Sequence, residues 1–447
     1  MGEIKGEINF SERGDRRRLK AAIALVSIYT GTFALHLAPW GQKFIFALAA
    51  ILGLHALRLV LPGRNVHIAV SPDLETEELP FISLLVAAKN EEAVIARLVT
   101  ELCQLDYQSD RLELWVIDDN SSDRTHEVLE RLQQKYPQLK TLRRGEGAQG
   151  GKSGALNEVL PLTKGEIIGV FDADAQVPAN CLYALLPLFE KTNMGAVQLR
   201  KSIANFSTNF WTRGQSAEMA LDIWLQDRRI RVGGTGELRG NGQFVRRSAL
   251  LSCGGWNEQT ITDDLDLTFK LHLADWDIAC LAYPGVQEEG VVTWKQLWHQ
   301  RNRWAEGGYQ RFLDYWPLIS SNKMGMVKTF DMFAFLLMQY LLPTAAVPDL
   351  IGAIALHKPP ILSPLVSLAL GLSTLGMFFG IRSSYRPPLM AAAIQTLRGT
   401  IYMLHWIPVM ASVTLRMSIR PKRLKWVKTV HQGLGDTLVL EELEELA

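Results

Sequence analysis

The 447-residue sequence has little sulfur to build with. Its four cysteines, Cys103, Cys181, Cys253 and Cys280, are scattered, and no two of them stand as C-x-x-C. That spacing argues against zinc and disulfide frameworks and leaves reduced, mostly buried thiols facing a cytosolic environment. Surplus charge of either sign is also lacking. Lys and Arg number 47 against 46 Asp and Glu, for a net charge of +1, so bulk charge gives no case for a nucleic-acid partner. No internal repeat is visible. A true P-loop is missing as well. Gly150-Gly151-Lys152-Ser153 has the right ending, but the glycine required five residues before the Gly-Lys pair is Glu146, and no strand is read directly before the loop. A P-loop transporter is thereby disfavoured.

Apolar sequence is abundant, at 48% of residues, and it is clustered. Two runs, at about residues 21–40 and 44–61, approach the ~20 residues that a helix needs to cross a bilayer. A basic segment with Arg13, Arg16, Arg17, Arg18 and Lys20 precedes them. The first run is long for the core of a signal peptide and the second follows at once, so the pair reads as a helical hairpin. The positive-inside rule then places the N-terminus, and the chain after two crossings, in the cytoplasm. Later runs lie near residues 330–347, 360–381 and 389–415. The first of these holds Asp331 and Pro343, with Pro348 just beyond it, and reads as re-entrant or interfacial. Residues 416–428 are strongly basic. A cytosolic position for them requires an even number of crossings, hence two spans plus one interfacial segment. The expected layout is a basic N-terminus and transmembrane hairpin at 1–62 and a cytosolic domain at 63–324. Interfacial and transmembrane helices follow at 325–415, then a basic and finally acidic cytosolic tail at 416–447.

Between the apolar ends the pattern becomes that of a soluble α/β domain. Residues 81–88, 112–117 and 166–171 are apolar runs of strand length, and helical periodicity marks 93–105 and the start of a helix at 125–132. Short apolar strands alternating with helices predict a parallel sheet, whose ligands collect at the carboxyl ends of its strands. All three strands end in polar residues: Lys89-Asn90-Glu91, Asp118-Asp119-Asn120 and Asp172-Ala173-Asp174.

Four clusters can carry chemistry. Asp172 and Asp174, one residue apart after a strand, can share a hard divalent cation that keeps waters and binds substrate phosphates; the same pattern also occurs as a solvated turn. Lys152 in its Gly-rich turn is a candidate diphosphate contact, or part of a surface loop. Asp263, Asp264 and Asp266 fall within five residues, and like charges so close raise the pKa of at least one of them, which suits a general base. The same acids fit the first turn of a helix capped by Thr262. Gln300-Arg301-Asn302-Arg303-Trp304 offers Arg303 to a diphosphate and Trp304 as a flat wall, and also fits an amphipathic interfacial helix.

Taken in chain order, these clusters form a known series. Val86-Ala87-Ala88-Lys89-Asn90-Glu91-Glu92, Asp118-Asp119, Lys152, Asp172-x-Asp174, Thr262-Asp263-Asp264 and Gln300-x-x-Arg303-Trp304 resemble the family 2 glycosyltransferases of the cellulose-synthase-like and ceramide-glucosyltransferase-like plan. The match covers about residues 81–308, and flanking membrane segments are typical of that group. The resemblance implies an α/β GT-A (Rossmann-like) catalytic domain with transmembrane α-helices, and inverting transfer from a UDP-sugar. It implies that Ala88 and Glu91 border the nucleoside pocket and that Asp118 or Asp119 contacts the uracil. Asp174 would ligate Mg²⁺ or Mn²⁺, with Asp172 supporting the nucleotide. Asp264 would be the catalytic base, and Gln300, Arg303 and Trp304 would hold the diphosphate and the acceptor side. Asp263 stands where Glu is commoner in the motif, so the base could be either of the paired acids.

The acceptor is read from the membrane portion. About four spans provide little material for a polysaccharide channel, whereas basic flanks would press the domain against anionic headgroups. A membrane lipid hydroxyl meeting the domain at the bilayer surface is therefore expected. The resemblance extends to members that glucosylate diacylglycerol, which implies UDP-glucose, 1,2-diacylglycerol and a β-monoglycosyl lipid product. A processive β-glycan synthase is the second reading. A non-catalytic scaffold is the third, but a scaffold need not retain Asp174, Asp264 and Arg303 together.

Overall fold

The computed structural model describes residues 16–61 and 79–420. Arg13, the boundary expected at 62–63 and the tail from 421 onward lie outside the described residues. The N-terminal apolar runs form two antiparallel helices, α1 (Arg17–Leu37) and α2 (Gly41–Val60). Ile23, Val26, Phe46, Leu54 and Leu57 are more than half exposed on them. Long helices with so much apolar surface outward fit a bilayer setting. Arg17 is not free for headgroups: its guanidinium is buried, paired with Asp314, and bonded to the Gln259 carbonyl at 2.6 Å.

The central domain runs β1 (Ile82–Ala88), α3 (Ile95–Cys103), β2 (Leu112–Asp118), α4 (Thr125–Lys135), β3 (Leu139–Arg143), α5 (Gly151–Val159), β4 (Ile167–Phe171) and α6 (Cys181–Phe189). It continues through β5 (Met194–Ile203), α7 (Phe210–Arg231), β6 (Gln243–Arg246), α8 (Arg247–Ser252), α9 (Asp263–Leu273), β7 (Asp277–Glu288) and α10 (Trp294–Ser320). The seven strands make one sheet in the order β3-β2-β1-β4-β6-β5-β7. Side chains alternate across it. Leu84 and Val86 pack under α3 and α6, and Leu85 and Val170 pack under α5 and α8.

Two expectations are corrected. The sheet is mixed, because β6 runs antiparallel between β4 and β5. With four residues, β6 is too short to show a run or a period. A strand does precede the Gly-rich loop: β3 pairs parallel with β2 at the sheet edge. Its Leu-Lys-Thr-Leu-Arg sequence is half covered at most positions, so no apolar run announced it.

The C-terminal part contains α11 (Met326–Leu336), a π-turn at Leu337–Leu341, α12 (Leu342–Leu356), α13 (Ser363–Tyr385), α14 (Leu389–Met403) and α15 (Trp406–Ile419). Among the described residues, four helical paths are long and apolar enough to cross a membrane: α1, α2, the 31-residue path Met326–Leu356, and α13. The segment 330–347 thus sits inside a continuous helix. Pro343 has no N–H for the carbonyl four residues back, and the ladder adjusts in the adjoining π-turn. The segment 389–415, by contrast, is divided into α14 and α15, of 15 and 14 residues, each shorter than the ~20 of a span. The carboxylates inside Met326–Leu356 are buried and matched. Asp331 accepts from Arg229 and Thr235, and Asp349 accepts from His36 and from the N–H groups of Ile361 and Leu362.

Candidate active site

A cavity of about 260 Å³ opens beyond the carboxyl ends of β1 and β4. Glu91, Lys152, Asp172, Asp174, Asp263, Asp264, Gln300, Arg303 and Trp304 all line it. Residues separated by up to 213 positions in the sequence are thereby brought to one space. Ala88, Asp118 and Asp119 do not line this cavity. They lie beside it, where the ends of β1 and β2 pair and Ala88 stands opposite Asp118. Asp118 accepts the Ser121 N–H at 2.9 Å, and Asp119 accepts from Arg144 at 2.6 Å.

Arg144 also bonds the carbonyl of Gln149 at 2.6 Å and Glu158 at 2.9 Å, which shapes the loop at 144–150. Gly150 closes that loop at φ 82°, a left-handed conformation that costs glycine little. Lys152 then stands in the first turn of α5 and donates to Asp172 at 2.5 Å. Burial works against the Lys152 charge, but Asp172, then Asp263 and Asp264, outweigh it and hold the pKa above its ordinary value. Burial likewise tends to raise the Asp172 pKa. Lys152, then Lys201 and Arg303, bring it down to about 2.

Asp263, Asp264 and Asp266 begin α9, as a helix start predicts, and Thr262 holds the N-cap position without a side-chain cap bond. The three acids have different surroundings. Asp266 is turned inward and accepts from Tyr315 and Asn257, both at 2.9 Å. Asp264 lines the cavity. Burial first, and then the like charge of Asp263, push its pKa up to about 6, against a smaller pull from Lys152 and Lys201. A carboxylate poised there is ionised at neutral pH yet basic enough to take a proton.

From α10, Arg303 lines the cavity with no hydrogen-bond or ion-pair partner among the described residues, and the Gln300 side-chain oxygen is buried without a partner. Trp304 lies between cations: the Arg301 guanidinium is 4.0 Å and the Lys201 ammonium 5.5 Å from its ring centre. Sequence reading missed Lys201, Glu288, Glu218, Asp222 and Arg239, which also line the cavity. Lys201 pairs with Glu288 at 2.7 Å, and Arg239 with Asp222 at 2.7 Å. The one signal for Lys201 was the charged pair Arg200-Lys201 inside strand β5, whose other residues are buried.

The donor set around Asp172 and Asp174 fits a hard divalent cation. Both side chains offer carboxylate oxygens into a cavity where acids outnumber bases. Asp174 uses one oxygen to accept the Glu289 N–H at 3.1 Å. Among the described residues no group of three or more His, Cys, Asp or Glu gathers as a ready-made cage. A sparse oxygen set completed by substrate phosphates and water is what Mg²⁺ or Mn²⁺ accepts.

An α/β mixed sheet with acids, an arginine and a Gly-rich turn gathered at the strand ends is the arrangement of a GT-A-type glycosyltransferase. The model of the family described as glycosyltransferase like family 2 matches residues 80–307, and the chain belongs to that family. It is 58% identical to the β-monoglucosyldiacylglycerol synthase of Trichormus variabilis over 96% of this chain and 92% of that protein. It is 55% identical to the β-monoglucosyldiacylglycerol synthase of Synechocystis sp., over 97% and 92%. Among solved structures, the mannosyltransferase of Pyrobaculum calidifontis in complex with GDP-Man and Mn²⁺ shares the fold at 22% identity and TM-score 0.51, covering 85% of this chain and 99% of that one. The chain is thus a glycosyltransferase, and its four candidate spans fit a membrane protein.

Proposed function

We propose that the chain transfers a hexose, glucose from UDP-glucose, to the hydroxyl of a membrane lipid, 1,2-diacylglycerol, with inversion to a β-monoglycosyl lipid. One observation carries this reading: a single cavity is lined both by Asp172, Asp174 and Asp264 and by Phe335, Gln339 and Tyr340 of a candidate span. The two diacylglycerol-glucosylating relatives, aligned over nearly the whole chain, support it.

In the proposed reaction the acceptor oxygen bonds to the anomeric carbon as that carbon's bond to the UDP oxygen breaks. Asp264 takes the acceptor's hydroxyl proton. Arg303, unpaired among the described residues, meets the charge that develops on the diphosphate, and Lys152 adds a second cation beside Asp172. Glu91, Ala88 and the Asp118–Asp119 corner hold the nucleoside side, and Asp263, Gln300 and Trp304 shape the sugar's surroundings. Asp174, with Asp172 beside it, would hold Mg²⁺ or Mn²⁺, which supplies charge neutralisation for the leaving diphosphate. The protein is proposed to be multi-pass, with its N-terminus and catalytic domain in the cytosol, on the strength of the basic residues before the first apolar run.

The deciding experiment offers purified full-length protein UDP-glucose and UDP-galactose in turn, each with diacylglycerol, and analyses products by mass spectrometry. A lipid-extractable product carrying one hexose is expected. An alcohol-insoluble polymer that grows with time would replace this reading with that of a processive β-glycan synthase.

A further inference from the structure

Part of the cavity wall has no task in the sugar chemistry. It comes from Met219 of α7, Phe335 of α11, Gln339 and Tyr340 of the π-turn, and Trp406 and Met410 of α15. Phe335, Gln339 and Tyr340 belong to the candidate span Met326–Leu356, so the cavity is continuous with a helix of the membrane part.

The π-turn is fixed in place. Its Tyr340 carbonyl accepts from the hydroxyls of Tyr309 and Thr344, each at 2.9 Å, and the Tyr340 hydroxyl lies 3.4 Å from Arg311. Gly308 of α10 permits this approach, since a Cβ there would lie 2.1 Å from the Tyr340 hydroxyl. The turn is thus seated on α10 four residues beyond Trp304. Single π-turns often mark functional positions because they re-aim side chains out of the regular ladder.

The wall is mostly apolar. Trp406 spends its indole N–H on Glu218 at 2.8 Å, and Met410 is almost fully buried. Within this wall, Gln339 is partly buried and its amide has no hydrogen-bond partner among the described residues. Apolar contact plus one uncommitted polar group is how a pocket orients a ligand that is itself mostly apolar. Outside the cavity, α14, which leads into α15, carries Ile394, Leu397 and Ile401, each more than half exposed.

We infer that this wall is the subsite for the acyl-glycerol part of the acceptor. Met219, Phe335, Trp406 and Met410 take the acyl carbons nearest the glycerol, and the Gln339 amide donates to an ester carbonyl, which turns the free hydroxyl toward Asp264. The inference rests on the lipid-acceptor reading above and adds what the site recognises: an esterified acyl chain beside the free hydroxyl, not a bare alcohol.

The test uses the full-length protein in phospholipid vesicles with UDP-glucose and three acceptors: dioleoylglycerol, its dialkyl ether analogue and dioctanoylglycerol. Wild type is expected to favour ester over ether by about tenfold in kcat/KM, the worth of one hydrogen bond of about 1.4 kcal/mol. Gln339→Leu, close in size and without the amide, is expected to bring that ratio near one while UDP affinity, measured by calorimetry, is retained. Met410→Ala enlarges the subsite and is expected to change the dioleoyl-to-dioctanoyl preference several-fold, as a pocket does when a few methylenes are removed. Wild-type ester preference and chain-length preference in both variants, in an enzyme that does make glucolipid, would overturn the subsite and leave the function standing. Equal use of ester and ether by wild type would also overturn it. No lipid product from wild type with any acceptor would remove the subsite and the lipid-acceptor reading together.

Discussion

Three aspartates share the first turn of α9, and each meets a different environment. Asp266 is sealed by Tyr315 and Asn257, while Asp263 and Asp264 face the cavity. Asp264→Asn keeps the shape and removes the base, so single-turnover transfer is expected to fall roughly 10²–10⁴-fold with donor binding retained. Asp263→Asn is expected to be milder, and the opposite ranking would move the base to Asp263. The pH profile follows from the same environment. The base works only when ionised, and its pKa is pushed up to about 6. Transfer is therefore expected to level off above that pH and to drop about tenfold per unit below it. Asp263→Asn removes the like charge, so the midpoint should move to lower pH; a midpoint that moves up would deny the coupling. Asp174→Ala is expected to abolish turnover and weaken UDP binding in Mg²⁺ or Mn²⁺, and near-wild-type activity in EDTA would exclude the metal role.

Helix α10 does several tasks along one length. Its first turns present Gln300, Arg303 and Trp304, while Arg301 between them is fully buried and donates to Glu218 at 2.5 Å and to Tyr402 at 3.1 Å. The motif thus holds α14 at the same time as it serves the cavity. One turn on, Gly307 lies against the residue that precedes α9: a Cβ there would come 2.1 Å from the Thr262 hydroxyl oxygen. Gly307→Ala should push α9, with Asp263 and Asp264, away from α10. A loss of roughly 1–3 kcal/mol is expected from overpacking, together with slower transfer, measured as thermal unfolding in detergent and as turnover. Unchanged stability and turnover would show that the contact yields freely. The Gln-x-x-Arg-Trp pattern was legible in the sequence; the glycines that seat it were not, because their role lies in what they touch.

At the scale of the whole molecule, a buried ion network joins the membrane part to the catalytic domain. Asp331 of α11 meets Arg229 at 3.0 Å, Arg229 meets Glu237 at 3.0 Å, and Glu237 meets Arg239 at 2.7 Å and Arg311 at 3.2 Å. Burial alone would raise the Glu237 pKa, but Arg311, Arg239 and Arg229 hold it well below the usual carboxylate range. Arg239 and Arg311 line the cavity, so the network runs from a candidate span to the site. Asp331→Ala leaves Arg229 buried and half matched, and a loss of roughly 3–5 kcal/mol is expected, read as a lower unfolding temperature in detergent. A variant as stable as wild type would mean that Glu237 alone satisfies Arg229.

Local signals determined much of this protein. Apolar runs announced α1 and α2, strand-length runs announced β1, β2 and β4, and carboxylates closing those strands marked where the site would form. Spacing along the chain sufficed because each such feature is built from near neighbours. Only the tertiary structure decided the rest. The short strand β6 takes its direction from the partners on either side, and the half-covered β3 takes its place from the sheet edge. Asp331, a charge that argued against a span, is matched by Arg229 from a helix about 100 positions away. Lys201, Glu218 and Arg239 entered the cavity without a motif, because burial, pairing and access depend on residues distant in the sequence. The division of three aspartates within four residues into one sealed and two facing the cavity has the same cause: a helix start fixes their spacing, and packing against α10 fixes what each can reach.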